Sequence, residues 1–190
     1  MSARDTATRG ARTRATPGGR VPRSHGFPPI SGGSARVLIL GSLPGQASLA
    51  ATQYYAQPRN AFWRIMGELF GAHPELPYAE RLARLAARRV AVWDVLASGR
   101  RPGSLDSAID VASAVPNDFA GLFDAEPGIE RICFNGAKAA ELYRRMVWPA
   151  LGAPKRDIER IVLPSTSPAN ASFTFEAKLE RWRTALAPFL

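Results

Sequence analysis

The sequence predicts a three-layer α/β/α sandwich around a central four-stranded parallel sheet, and three observations carry that prediction. Short β-like runs recur at Arg36–Leu40, Val90–Trp93, Arg131–Phe134 and Arg160–Leu163, most of them continuously apolar rather than alternating. Strands buried on both faces read this way, as in a parallel sheet covered by helices. Amphipathic helical patterns lie between the runs, and strands that alternate with helices favour crossover units. Each run also ends on small or polar residues, the composition of a ligand site beyond the carboxyl ends of parallel strands.

Arg36-Val-Leu-Ile-Leu40 is the first strand and leads into Gly41-Ser-Leu-Pro-Gly45. A helix is predicted over Asn60–Phe70, where Phe62, Ile65, Met66, Leu69 and Phe70 share one face and Gly71 supplies a stop. Leu82, Leu85 and Ala86 mark a second helix over Tyr78–Arg89, ahead of the strand Val90–Trp93. After Arg131–Phe134 comes a helix over Ala137–Val147, with Leu142, Met146 and Val147 for the core. The strand Arg160–Leu163 precedes a last helix over roughly Thr174–Ala187, which offers Phe175, Leu179, Trp182 and Leu186.

The 190 residues are 46% hydrophobic, enough for one domain with a sizeable core. Net charge is +9, a balance that favours a polyanionic partner, most often nucleic acid. The first 25 residues hold six Arg and one Asp but no Leu, Ile or aromatic residue. A segment that cannot bury an apolar face is expected to be disordered. Residues 1–26 are therefore expected to form a basic arm that touches DNA nonspecifically, and residues 27–190 a single domain. No apolar run approaches the length of a membrane span, and no secretory core is visible, so an intracellular, cytoplasmic and DNA-associated protein is expected. Cys133 is the single cysteine, which excludes an internal disulfide and a four-cysteine cluster within the chain. His25 and His73 lie far apart, outside any motif, so neither a zinc site nor a Ser-His-Asp triad is supported.

The strand ends carry the candidate chemistry. Gly41 and Gly45 permit close approach of a ligand to the backbone, or form an ordinary turn. The segment lacks the Gly-Lys-Ser/Thr of a P-loop and the spacing of a dinucleotide fingerprint. In Gln53-Tyr-Tyr-Ala-Gln-Pro-Arg-Asn-Ala-Phe-Trp63, one tyrosine is placed to stack on a planar base. Asn60 fits either a helix N-cap or an amide that orients a water or binds the base. Asp94 either accepts N–H bonds from a base edge or caps the next turn. Asn135 and Gly136 begin a helix whose free N–H groups suit a phosphate, with Lys138 either adding charge there or simply solvated. Pro164-Ser-Thr-Ser-Pro-Ala-Asn170 clusters hydroxyls and prolines, a composition for gripping a DNA phosphate or for a plain turn.

These four ends, in this order, resemble the uracil-DNA glycosylase superfamily, most closely its hypoxanthine-DNA glycosylase (DNA-deoxyinosine glycosylase, family six) branch. The resemblance runs from about Ile30 to the C-terminus through GSLPG, SLAATQYYAQPRNAFW, WDVLAS, GSLDSAI, VPNDF, FNGAKA and LPSTSPAN. It implies a metal-free, cofactor-free glycosylase of base excision repair. Such an enzyme flips a deaminated base out of double-stranded DNA and hydrolyses its N-glycosidic bond. It also implies Asn60 as the catalytic residue, Tyr55 as the stacking ring, and Gly41, Ser42, Leu43 and Asp94 as walls of the base pocket. Asn135, Gly136 and Lys138, with the loop Ser165, Thr166, Ser167, Pro168, Ala169 and Asn170, would then meet the DNA.

The departures sharpen the substrate. Where family-one enzymes carry an Asp and mismatch-specific enzymes an Asn in the first motif, this chain has only Ser42 and Leu43. Ser165 stands in for the His or Asn of their last motif. Attention therefore moves to Asn60, and the substrate from uracil towards hypoxanthine, with uracil or xanthine as alternatives. Lys138, Lys155 and Lys178 are the only lysines, and none is well placed as a lyase nucleophile, so a monofunctional enzyme is expected, acting as a monomer. A noncatalytic DNA-binding protein and a free-nucleotide enzyme are the remaining classes.

Overall fold

A computed structural model of the protein describes residues 21–153 and 155–190. In chain order the strands are β1 (Arg23–His25), β2 (Val37–Gly41), β3 (Val90–Asp94), β4 (Leu96–Arg100), β5 (Asp110–Pro116), β6 (Arg131–Asn135) and β7 (Glu159–Leu163). The α-helices are α1 (Gln46–Ala51), α2 (Phe62–Phe70), α3 (Tyr78–Ala87), α4 (Phe119–Ala125), α5 (Ala137–Met146) and α6 (Phe175–Leu186). The four runs expected to be strands are β2, β3, β6 and β7. They form one parallel sheet in the order β3-β2-β6-β7. Every residue of β2 and β3 is buried, as their unbroken apolar runs require.

Helices cover this sheet. Gly71, at φ +72°, closes α2 in the left-handed conformation, the stop its sequence position suggested. Thr174 caps α6 by accepting the Ala177 N–H at 3.2 Å. Two aromatic groups anchor the layers. Phe62 packs edge-on to Trp63 and Trp182, which joins α2 to α6. Phe119 meets Trp93 and Tyr143, which joins α4 and α5 to β3. The side chains from Ile30 to Phe189 form one continuous buried cluster, and Cys133 is a buried member of it.

A second, antiparallel sheet, β1-β4-β5, was not expected. It departs from β3 almost without a loop: only Val95 separates the strands, and Val95 and Leu96 donate N–H bonds to Gly41 O and Ser42 O. Residues 23–25, expected to belong to the basic arm, are instead part of this sheet. Arg23, Ser24 and His25 pair with Arg100, Gly99 and Ser98, and Arg23 bonds the Ser98 hydroxyl at 2.9 Å and Ser113 O at 2.8 Å. The polar alternation of Arg23-Ser-His25 satisfies an edge strand, although it cannot form a core by itself. Residues 1–20 of the expected arm lie outside the described residues.

The strand order places the topological switch between β2 and β6, because the chain leaves β2 to one side for β3 and returns to the other for β6. Ligands of open α/β sheets sit outside the carboxyl ends at such a point.

Candidate active site

A cavity of about 660 Å³ opens there, within the range of small-ligand sites. Gly41, Ser42 and Leu43 wall it at the end of β2, with Tyr55 and Asn60 on the segment leading into α2. Asp94 closes it at the end of β3, and Asn135, Gly136 and Lys138 border it where β6 passes into α5. The loop Ser165, Thr166, Ser167, Pro168, Ala169 and Asn170 completes the rim. All the candidate residues, spread over 130 residues of sequence, thus border one cavity.

Gly41 is opposite Asp94 in the β2–β3 register. A Cβ on Gly41 would collide with the Asp94 carboxylate and crowd the Tyr55 hydroxyl at 2.9 Å. Glycine is thus required for two polar groups to reach the floor of the cavity. Both groups are unusual. Asp94 is 3% exposed, and its Oδ2 has no hydrogen-bond partner among the described residues. Burial raises its pKa to about 7, the Asp106 carboxylate pushes it the same way, and the Arg101 guanidinium opposes both. The Tyr55 hydroxyl is likewise buried and unpaired among the described residues. Burial, then the Asp94 charge, holds that phenol far above its ordinary range, against a lowering contribution from the Asn135 amide.

Asp94 makes the site costly to the fold as pH rises. The unfolded chain gives up this proton near the ordinary carboxylate value, whereas the folded chain keeps it to about 7. The folded state binds more protons between those values, so stability is greatest below them and falls as pH rises through about 7. Asp94→Asn is expected to melt higher than the wild type above neutrality, by on the order of 4 kcal/mol. The gain should grow between roughly pH 4 and 7 and vanish at lower pH. Melting temperatures across pH check this, and a pH-independent difference contradicts it.

Of the adjacent tyrosines, only one suits a ligand. Tyr54 is a core residue: its one hydroxyl proton is shared between the carbonyls of Phe27 and Pro28, each at 3.2 Å, and its own carbonyl accepts the Trp63 indole N–H. Tyr55 sits at φ +54°, a left-handed backbone that is rare for an aromatic residue. One face of its ring lies on Phe62, with centroids 3.8 Å apart and planes at 19°. Such strain at the wall of a cavity is a mark of function.

Asn60 is one residue ahead of the N-cap, which is Ala61. Its Oδ1 accepts the Phe62 N–H at 3.0 Å. The expected capping role is therefore nearly met by an Asx-type turn. The amide NH2 makes no hydrogen bond among the described residues, and Asn60 borders the cavity. The Asn135 amide, by contrast, is held at both ends: it donates one N–H to Thr166 Oγ1 at 2.9 Å and accepts the Thr166 N–H at 2.8 Å. Thr166 O in turn accepts the Ala61 N–H, so the last loop is tied both to β6 and to the start of α2.

The rest of that loop braces itself. Ser165 Oγ accepts the Ser167 N–H, Ser167 Oγ the Ala169 N–H, and the Asn170 amide bonds Ser165 O. Buried Lys178 donates to Asn170 O at 2.9 Å, and burial lowers its pKa. The Gly136 N–H is occupied by Phe134 O and Leu163 O, and Lys138 pairs with Glu141 at 3.1 Å. Two of the expected phosphate donors thus have protein partners.

Sequence reasoning missed Arg101 and Asp106. Arg101 is almost wholly buried, and its guanidinium bonds Leu43 O at 3.1 Å, Pro44 O, and Asp106 Oδ1 at 3.4 Å. Asp106 Oδ1 also accepts the Ser42 hydroxyl at 2.6 Å. Neither residue directly follows a strand of the parallel sheet, so neither is among the polar strand ends. The available signals were the polar run Gly99-Arg-Arg-Pro-Gly-Ser-Leu-Asp106 and, for Asp106, the resembling segment GSLDSAI. Among the described residues no three His, Cys, Asp or Glu side chains gather as a candidate metal site.

Fold and site together define an α/β protein with a cavity at the switch point of its parallel sheet, walled by an aromatic ring, an amide and a buried carboxyl whose pKa is raised to about 7. The chain belongs to the uracil DNA glycosylase superfamily, whose family model matches residues 28–187. A protein of Methanosarcina acetivorans named hypoxanthine DNA glycosylase is 40% identical over 153 residues, covering 78% of this chain and 89% of that one. A protein of the same name from Methanosarcina barkeri is 38% identical over 120 residues, covering 63% and 75%. A Methanosarcina acetivorans protein solved by solution NMR superposes with a TM-score of 0.72 at 36% identity, covering 88% of this chain and 99% of that one.

Proposed function

We propose that the protein is a monofunctional DNA glycosylase that excises a deaminated base, hypoxanthine first among them, from double-stranded DNA in base excision repair. The observation that carries this reading is the donor set of the cavity: an unengaged Asn60 NH2 and an Asp94 carboxyl that holds its proton to about 7. The relatives named hypoxanthine DNA glycosylase support the same substrate.

Excising a purine leaves negative charge on the departing base. Donors aimed at that charge lower the barrier, because they are fixed in place before it develops. Asn60 NH2 is one such donor, and protonated Asp94 is a second. Extrusion itself costs a few kcal/mol and is cheapest at a badly paired base such as hypoxanthine opposite thymine. Tyr55, which lines the cavity, would offset part of that cost by stacking on the flipped base. The braced loop Ser165–Asn170 and the α5 start would meet the phosphate backbone. No membrane-spanning helix is present among the described residues; the protein would act as an intracellular, DNA-associated monomer.

The test is a cleavage panel on one duplex length, with uracil, hypoxanthine or xanthine opposite each normal base, followed by alkali. Hypoxanthine release is expected to dominate. DNA binding with no release from any duplex would instead indicate a noncatalytic member of the fold. Within this scheme Tyr55→Ala should weaken binding of the flipped base by about 1–3 kcal/mol. Affinity for an inosine duplex relative to an undamaged one measures it, and an unchanged ratio argues against stacking.

A further inference from the structure

We propose that Asp106 is a catalytic carboxylate of this site, delivered to the end of β2 through Ser42 and Arg101 rather than by the β2 loop itself. The proposal rests on the glycosylase reading above.

Two carboxyls border the same cavity, and their surroundings differ. Asp94 is buried, lacks a partner for Oδ2 among the described residues, and has its pKa raised to about 7. Asp106 lies in an ion pair with Arg101, and its side chain is 40% exposed. Two carboxyls in unlike surroundings, one buried without a partner and one ion-paired, are an arrangement that divides acid and base work in glycoside hydrolysis.

The hydrogen bonding leaves Asp106 only half engaged. Its Oδ1 takes both the Ser42 hydroxyl and an Arg101 N–H, whereas Oδ2 makes no hydrogen bond among the described residues. Arg101 already fixes the β2 loop through Leu43 O and Pro44 O, so holding that loop does not require Asp106. A carboxylate oriented by two donors on one oxygen, at a residue that lines the cavity, is preorganised against the positive charge that develops on the sugar.

The step balances within these groups. A water oxygen bonds to C1′ as the C1′–N9 bond breaks, and its electron pair leaves with the purine. Asp106 Oδ2 takes one proton from the water. Protonated Asp94 supplies a proton to the purine, and both carboxyls return to their starting states by exchange with solvent.

The full chain tests this with Asp106→Asn and Asp106→Ala. Asparagine keeps an acceptor for Ser42 and Arg101, so it carries the test even where alanine disturbs the loop. Single-turnover release of hypoxanthine from an inosine duplex should slow by about a hundredfold in both variants, with duplex affinity unchanged. Added formate should restore part of the rate to Asp106→Ala, which a purely structural carboxylate would not allow. A normal rate in Asp106→Asn, or no response of Asp106→Ala to formate, overturns the proposal. Wild-type protein that releases no base overturns the glycosylase reading instead, and this one with it.

Discussion

Asn60→Ala protein is expected to release hypoxanthine from an inosine duplex about 10²–10³-fold more slowly than the wild type, while binding that duplex equally well. Alanine removes two things at once. One is the NH2 donor at the cavity; the other is Oδ1, which holds the Phe62 N–H at 3.0 Å. Loss of the second costs about 1 kcal/mol of stability, typical of a helix-start contact. It leaves the core of α2 in place, since Phe62, Ile65 and Met66 are fully buried.

Asn60→Asp separates the two roles. Aspartate keeps the acceptor for Phe62 and suits a helix start, so it should melt close to the wild type. It has no donor for an anionic purine. If donation is what matters, Asn60→Asp is as slow as Asn60→Ala despite its normal stability. If Asn60 instead orients the water, aspartate retains or exceeds the wild-type rate. Single-turnover rates and melting curves on the three proteins decide it.

Arg101→Met should be the most destabilising substitution near the site. Methionine fills most of the volume but satisfies none of the acceptors. Leu43 O and Pro44 O lose their donor in a buried setting, and Asp106 loses its cation. Each buried carbonyl left without its donor costs about 1–3 kcal/mol and the half-exposed Asp106 adds little, so the loss is roughly 2–6 kcal/mol, which for a chain of this size lowers the melting temperature by roughly 4–24 °C. Arg101→Lys should recover only part of the loss, because an ammonium cannot fork to two carbonyls. A melting temperature equal to the wild type for Arg101→Met would mean that the loop is held by other contacts.

Both predictions concern residues whose visibility in the sequence differed sharply. Asn60 stood out because it sits between Pro58 and an apolar helix. Its neighbours Tyr54 and Tyr55 looked alike, and only the packing separates them: Tyr54 turns into the core against Phe27 and Pro28, and Tyr55 turns over Phe62 at the cavity. Arg101 stood in a polar loop that reads as solvated surface, and Asp106 was marked only by its place in the resembling segment GSLDSAI.

Periodicity alone carried the main sheet, because a strand buried on both faces must be apolar at every position, and helices must show one apolar stripe. Those are properties of a single segment, and β2, β3, β6 and β7 with α2, α3, α5 and α6 appear within a residue or two of their expected limits. The alternation of strands and helices also implied that the polar strand ends would meet. The antiparallel sheet β1-β4-β5 was hidden for the opposite reason. Leu96-Ala-Ser-Gly-Arg100 and Arg23-Ser-His25 have little apolar content, and their pairing depends on each other. The same holds for the electrostatics of the site. The pKa of Asp94 comes from depth and from Asp106 twelve residues on, and the hold on the Ser42 hydroxyl comes from a carboxylate sixty-four residues away. Burial patterns are written into each segment, whereas hydrogen bonds and charge between distant segments exist only once the chain has folded.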